Sequence, residues 1–132
     1  MKIVVGYVPK PEGHAALTRA IEEAAARGDS LLVMNTSRGD APIDNTYAEE
    51  HDLQLVSEEL DASGIPYEVR RVVPGRDAAE EIVAAADQDG ARMIVIGLRK
   101  RSAVGKFILG STAQQVLFEA SCPVLCVKAT AD

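Results

Sequence analysis

The sequence predicts an α/β fold in which helices cover both faces of a mostly parallel β-sheet. Apolar runs at residues 2–8, 30–36 and 91–97 are nearly continuous, which is typical of strands buried on both faces of a parallel sheet. Residues 67–73 are more polar and alternate, so we expect a strand nearer an edge there. Residues 122–128 supply a fifth strand. Because helical segments separate the strands, parallel crossovers are favoured.

Four segments with helical spacing of apolar residues lie between the strands, at 12–29, 45–64, 76–90 and 111–121. A glycine ends each of the first two helices. Asp77 and Glu80 have the spacing of a capping box at the third helix, and Ser111 and Gln114 have it at the fourth. The side chains expected to face the core are Leu17, Ala20, Ile21, Ala24, Ala25, Leu53, Val56, Leu60, Ile82, Val83, Ala86, Val116 and Leu117.

Length and composition indicate one ordinary domain over residues 1–132, with 47% hydrophobic and 26% charged residues. A net charge of -6 argues against a surface that binds nucleic acid, since such surfaces carry many spread lysines and arginines. No apolar run approaches the ~20 residues that cross a bilayer, and the first residues resemble a strand and turn rather than a secretory signal. We therefore expect a cytoplasmic protein with no nucleic-acid or membrane partner.

Few residues could carry catalysis or bind a metal. Cys122 and Cys126, four positions apart on an extended segment, would be roughly 13 Å apart, so we interpret them as buried apolar residues rather than a disulfide. His14 and His51 form no Ser-His-Asp or Cys-His pattern. The acidic run 49–52 is interpreted as a solvated helix surface, and His14 as a surface residue or a contact of a bound base. We expect no efficient enzyme and no metal site.

Residues 97–112 concentrate positive charge and glycine within an acidic chain. The segment contains four basic residues, three glycines and no acidic residue, and it runs from the end of the fourth strand into the last helix. Amides of a first helical turn lack partners, and together with cations they favour an anion such as phosphate. The alternative is a solvated basic loop in which Ser111 merely caps the helix. The basic residues are Arg99, Lys100, Arg101 and Lys106.

Two common phosphate motifs do not fit this chain. A P-loop needs Ser or Thr after its lysine, but Phe107 follows Lys106, and Lys100 stands where the first glycine belongs. The glycine spacing of a dinucleotide-binding fold is absent after the first strand. Residues 37–44, rich in Gly, Pro and Asp, are either a plain solvated connection or a flap over a ligand.

The spacing of glycines around the basic segment carries a family resemblance. Gly97, Leu98, Arg99 and Lys100 are followed by nine residues and then by Gly110 and Ser111. This resembles the pattern GxxG, nine residues, G and Ser or Thr in nucleotide-binding members of the universal stress protein family, with one change. The apolar strand before the pattern and the strand "CPVLCVK" after the last helix also look like those of the family. The resemblance covers nearly the whole chain.

The resemblance implies a Rossmann-like, adenine nucleotide alpha hydrolase-like fold, with an open five-stranded sheet in the order 3-2-1-4-5. It also implies a pocket at the switch point between strands 1 and 4 that binds ATP or AMP. The phosphates would lie on the basic segment and the last helix, and the adenine and ribose near the ends of strands 1 and 2. The implied binding residues are Gly6, Tyr7, Val8, Thr36, Ile96, Gly97, Arg99, Lys100, Gly110, Ser111 and Thr112.

Two positions depart from the family pattern. Val8 stands where nucleotide-binding members usually have an aspartate, so a carboxylate that could hold the adenine or ribose is missing. Lys100 replaces the second glycine, which removes conformational freedom but adds a cation. Recognition of the nucleoside should weaken, whereas attraction for an anion persists.

The predicted function is a stress-response regulatory module that binds an adenine nucleotide and associates with partners. The alternatives are a dimeric stress-response scaffold that binds no nucleotide and, less favoured, a slow ATPase. The resemblance also implies a homodimer through the last strand, from Pro123 to Lys128, whose apolar edge would otherwise be bare. A monomer whose edge is shielded by the tail 129–132 is the alternative.

Overall fold

The computed structural model describes residues 1–36, 43–72, 76–101 and 106–129, and for residues 43–49, 100–101 and 106–108 it describes the backbone alone. Most of the predicted loop at 37–44, interpreted as a plain connection or a flap, therefore lies outside the described residues, as do residues 130–132 of the tail. The elements in chain order are β1 (Lys2–Tyr7), α1 (Pro11–Arg27), β2 (Ser30–Asn35), α2 (Ile43–Ser63), β3 (Tyr67–Arg71), α3 (Ala78–Asp89), β4 (Met93–Arg101), β5 (Lys106–Ile108), α4 (Ser111–Glu119) and β6 (Val124–Lys128).

Five strands form a parallel sheet in the order β3-β2-β1-β4-β6. Since β6 is the predicted fifth strand, the expected order 3-2-1-4-5 is confirmed. The predicted polar strand is β3, and it lies at one edge, where Glu68, Arg70 and Arg71 are exposed. Arg70 and Glu68 pair with each other on this edge at 2.9 Å. The other edge of the parallel sheet is β6, which carries partly buried apolar side chains from Val124 to Val127.

The basic segment contains a short hairpin that the sequence did not predict. Strand β4 continues past Gly97 to Arg101 and pairs there, antiparallel, with β5. Backbone hydrogen bonds hold such a hairpin, so its strands need no alternation of apolar and polar residues. A basic segment that contains glycine therefore resembles a loop in the sequence.

The two faces of the sheet bury separate hydrophobic clusters because successive strand residues point to opposite faces. Ile3, Val5 and Tyr7 pack with α1 and α2 on one face, while Val4 packs with α3 and α4 on the other. The predicted arrangement of helices on both faces is confirmed.

Most of the predicted core positions on the helices are buried. The exceptions lie beside the single stripe of side chains that a helix buries. Ala25 is exposed, and Leu117 is 39% exposed because α4 buries the stripe through Ala113 and Val116 instead. The positions that are only partly buried are Ile21, Leu53 and Val83. The buried ones are Leu17, Ala20, Ala24, Val56, Leu60, Ile82, Ala86 and Val116.

Of the two predicted capping boxes, the one at α3 shows its N-cap hydrogen bond. Asp77 is the N-cap of α3, and its carboxylate accepts a hydrogen bond from the Glu80 amide at 3.1 Å. The prediction for Ser111 was wrong, because Gly110 is the N-cap of α4 and makes no side-chain cap bond. Ser111 is the first helical residue, which leaves its hydroxyl available for other partners.

The cysteines are free, as predicted, but neither is fully buried. Cys126 lies in β6, at the edge of the parallel sheet that the described residues form, and Cys122 lies just before that strand. Burial raises the pKa of both thiols, so they remain protonated and unreactive near neutral pH.

A buried ion pair lies at the amino ends of the strands. Asp29 is 4% exposed, and its carboxylate accepts a hydrogen bond from Arg92 Nε at 2.7 Å and contacts the Met1 amino group at 3.3 Å. Burial alone would raise the pKa of Asp29, but the hydrogen bonds and charges of Arg92 and the amino group outweigh it and lower that pKa.

Replacing this carboxylate is expected to destabilise the fold in a pH-dependent way. Asp29→Asn should lower the free energy of unfolding by about 2 kcal/mol near neutral pH, because a charge-assisted hydrogen bond is lost. A lowered folded pKa stabilises above the unfolded pKa, and this stabilisation disappears as the pH falls through the folded value. Urea titrations of parent and variant should therefore converge in acid. Asp89→Asn, which removes the exposed pair with Lys2, is the matched control and should change little.

Candidate functional site at the carboxyl edge of the sheet

The carboxyl ends of β1 and β4 separate and leave a fork in the sheet. Pairing between these strands ends at Val5 and Val95. Strand β1 continues alongside β2 to the pair Tyr7 and Asn35, and β4 continues alongside β6. Because the strand order reverses at this point, the fork is the usual ligand position of an open α/β sheet.

Tyr7 and Thr36 join the ends of β1 and β2 on one side of the fork. The Tyr7 carbonyl accepts hydrogen bonds from the Thr36 amide at 2.9 Å and from Thr36 Oγ1 at 3.1 Å. The single hydroxyl proton of Thr36 is thus used, and its oxygen can only accept a further hydrogen bond. Val8 follows in a tight turn, in which the Lys10 amide donates to the Val8 carbonyl at 2.8 Å.

Gly6 and Ile96 face the layer formed by α3 and α4. A Cβ atom on Gly6 would lie 3.1 Å from Ile82 Cδ1 and 3.3 Å from Ile96 Cγ2. Ile96 itself belongs to the hydrophobic cluster on this face. The side-chain positions of these two predicted site residues are therefore used for packing, and their backbones are the parts that remain for a ligand.

The first turn of α1 closes the opposite side of the fork. A Cβ atom on Gly97 would lie 2.0 Å from the Glu12 carbonyl oxygen, and one on Gly13 would lie 1.8 Å from the Val8 carbonyl oxygen. Only glycine permits backbones to approach this closely. A ligand at the fork would therefore approach from the side of α3 and α4. Sequence reasoning missed Gly13, although a glycine in an alanine-rich helix is a signal of close packing.

The start of α4 packs on the same face of the sheet as Ile96. Ala113, in the first turn of this helix, belongs to the same buried cluster as Ile96. Ser111 and Thr112 are exposed, and the space that a Cβ atom on Gly110 would take is open. Amides at this position have no acceptor within the helix, so they can bind an anion.

Two predicted cationic residues lie on β4 before the hairpin turn. The side chain of Arg99 is exposed, and its backbone pairs with Ile108. The backbone of Lys100 lies opposite Phe107 in the antiparallel pair, while its side chain lies outside the described residues. The amides of α4 and the Arg99 guanidinium suit a phosphate, whereas the described residues at the end of β1 supply no carboxylate in place of Val8.

A polar cluster that the sequence did not predict lies beneath the end of β1. The Tyr7 hydroxyl is buried, donates to Asp52 Oδ2 and contacts His14 Nε2 at 3.1 Å, and His14 Nε2 lies 3.0 Å from Asp52 Oδ1. Burial, then the Asp52 hydrogen bond, then the charges of Asp52 and Glu59 raise the pKa of Tyr7. The hydroxyl therefore stays protonated.

The sequence interpretation of this region needs correction. Asp52 belongs to the run 49–52 that was expected to be solvated, yet its side chain is only 20% exposed and bonded to β1. The signal was available, since Asp52 precedes the buried Val56 by four residues and so shares its helix face. His14, at 44% exposure, does reach the surface, but its ring also packs edge-on against Tyr7.

The described part of the chain has an open groove away from the predicted nucleotide site, and it shows neither a metal site nor a membrane-spanning helix. An open groove of about 640 Å³ runs along α1 beside β6, and it shares no residue with the predicted nucleotide site. Among the described residues no group of three His, Cys, Asp or Glu side chains could hold a metal ion. None of the helices in these residues is long and apolar enough to span a membrane.

Comparison with known proteins identifies the family. The model of the universal stress protein family matches residues 1–128. A universal stress protein of Mycolicibacterium smegmatis is 47% identical over 126 residues, which cover 96% of each chain.

Solved structures agree with this assignment. The universal stress protein of Archaeoglobus fulgidus superposes with a TM-score of 0.79 at 33% identity, covering 97% of this chain and 98% of that one. A structure of an Archaeoglobus fulgidus universal stress protein in complex with dAMP gives a TM-score of 0.75 at 28% identity, with the same coverage. The chain therefore belongs to the universal stress protein family.

Proposed function

We propose that this protein is a stress-response regulatory module that binds an adenine nucleotide, ATP or AMP, at the fork between β1 and β4. The observation that carries the proposal is the fork where β1 and β4 separate, with the first turn of α4 packed on the same face of the sheet. The Archaeoglobus fulgidus relative in complex with dAMP supports the choice of an adenine nucleotide.

The residues present divide between the two ends of such a ligand. Phosphates would bind the amides of Ser111 and Thr112, with Arg99 and Lys100 as counter-charges. The nucleoside would lie against the backbone of Gly6 and Tyr7, near Val8, with Thr36 Oγ1 accepting a hydrogen bond from the base or ribose. The proposed site therefore offers stronger interactions to the phosphates of a nucleotide than to its nucleoside.

We infer that the module does not catalyse efficiently. The cluster of Tyr7, His14 and Asp52 resembles a catalytic triad in composition, but its hydroxyl is buried and already donates to a carboxylate. A hydroxyl with a raised pKa is a poor nucleophile. A slow ATPase would need a water activated by another group.

A scaffold that binds no nucleotide is the second candidate, and Val8 is the observation that favours it. Mass spectrometry of small molecules released from protein purified without added nucleotide, followed by calorimetric titration with ATP and AMP, separates the two. Co-purified or titratable adenine nucleotide supports the module. Absence of both supports the scaffold.

Introducing the missing carboxylate is expected to tighten binding. Val8→Asp should lower the Kd for AMP about tenfold, because a hydrogen bond to a charged acceptor adds roughly 1.5 to 3 kcal/mol. Val8→Asn has nearly the same shape without the charge and serves as the matched control. Equal affinities of Val8→Asp and the parent would show that the end of β1 does not face the base or ribose.

We also propose a homodimer through β6. The Pro123 carbonyl accepts from the Ile94 amide at 3.0 Å, and the Ala129 amide donates to the Leu98 carbonyl at 3.4 Å, so the odd-numbered residues between them face β4. Val124 and Cys126 must direct their amides and carbonyls outward. Antiparallel pairing with a second copy about a two-fold axis would satisfy these groups and cover the apolar side chains of β6.

A further inference from the structure

Three elements meet at the side chain of Tyr7. Its ring is buried between the sheet and the helices α1 and α2. Its hydroxyl reaches His14 in the first turn of α1 and Asp52 in α2. The hydrogen bond to Asp52 is a polar link from α2 to β1, beside the apolar contacts of Val56 and Leu60. A second polar link, between Asp61 and Tyr67, joins α2 to the edge strand β3.

The protons in the cluster can be assigned from its contacts. The Tyr7 hydroxyl has one proton, which it donates to Asp52 Oδ2. His14 Nε2 lies within hydrogen-bond distance of Asp52 Oδ1 and of the Tyr7 oxygen, which are then both acceptors. His14 therefore carries a proton on Nε2, and the buried hydroxyl and the carboxylate are both satisfied.

The backbone of the same tyrosine belongs to the proposed nucleotide site. Its carbonyl holds Thr36 through two hydrogen bonds, and the next residue, Val8, is in contact with Gly13 of α1. A shift of the Tyr7 side chain would therefore move the end of β1, Thr36 and the turn at Val8 together. A single residue, Tyr7, therefore links the backbone beside the proposed nucleotide site to α2.

We propose that Tyr7, Asp52 and His14 are positioning residues that hold the end of β1 in its ligand-binding geometry and couple occupancy of the nucleotide site to α2. The inference rests on the proposed function. It assigns α2, which carries the exposed Glu50, Glu58 and Glu59, as the element on which occupancy becomes visible to a partner.

Tyr7→Phe tests the coupling, and the chain offers a matched control. Tyr67 also donates its hydroxyl to an aspartate, Asp61, at 2.6 Å, but it lies at the start of β3, away from the fork. In calorimetric titrations with AMP and ATP we expect Tyr7→Phe to weaken binding about tenfold and Tyr67→Phe to leave it unchanged. Asp52→Asn, on the more accessible α2, should act in the same direction as Tyr7→Phe and remains informative if Tyr7→Phe does not fold.

Hydrogen exchange distinguishes coupling from a structural role. Added ATP should slow amide exchange across residues 50–63 in the parent and in Tyr67→Phe, but not in Tyr7→Phe or Asp52→Asn. Parent-like affinity and protection in both cluster variants would overturn the inference alone, even if their melting temperatures fall. A parent that binds neither AMP nor ATP would overturn the proposed function and the inference with it.

Discussion

Gly97→Ala is expected to lower the free energy of unfolding by about 3 kcal/mol, one of the two largest effects that the structure predicts. A Cβ atom at this position would meet the Glu12 carbonyl at 2.0 Å, and a backbone atom in the first turn of α1 cannot move aside as a side chain can. The helix would have to shift from β4. Chemical denaturation followed by circular dichroism measures the loss.

Gly110→Ala is the control for this experiment. A Cβ atom on Gly110 would enter open space, so the variant should lose less than about 1 kcal/mol as a changed N-cap. If Gly97→Ala is as stable as Gly110→Ala, then α1 does not pack on β4 as described. If Gly97→Ala loses far more stability than Gly110→Ala, then the packing of α1 on β4 requires glycine at position 97 whether or not a nucleotide binds.

Cys126→Pro is expected to convert the proposed dimer into a monomer. The Cys126 amide faces outward from β6, so proline removes a hydrogen bond between copies without breaking the ladder to β4. Light scattering at micromolar concentration should show the molar mass halved. The fold itself should survive, because proline is tolerated on an edge strand when its nitrogen faces away from the sheet.

Two controls separate the edge from the fold. Cys126→Ala shortens the same side chain but keeps the amide, so it should remain a dimer. Leu125→Pro removes an amide that faces β4, so it should destabilise the monomer itself. A parent that is already monomeric, or a Cys126→Pro variant that stays dimeric, would exclude this interface.

The strand order and the layers could be predicted because they depend on local patterns. Continuous apolar runs such as residues 2–8 occur only where both faces of a strand are covered, and the structure buries them in two clusters. Strand β5 was missed because a strand of three residues is too short to show a hydrophobic pattern.

The candidate site was less predictable because it depends on contacts between distant segments. The glycine spacing pointed to residues 97–112, but it could not show that Gly97 accommodates Glu12 of another element. Similarly, Asp52 and Tyr7 are 45 positions apart, and only the packing of α2 on β1 brings them together. The roles of the predicted nucleotide-binding residues stay predictions until a ligand is measured.

The two edges of the sheet differ in a way that would limit assembly. Strand β6 presents apolar residues, whereas β3 presents Glu68, Arg70 and Arg71 to solvent. If two copies join through β6, the result is one continuous sheet of ten parallel-sheet strands that ends in a charged β3 on both sides. Charged edge strands discourage further pairing. Growth would then stop at two molecules, so the same chain that can extend its sheet across a partner is protected from polymerising into fibres.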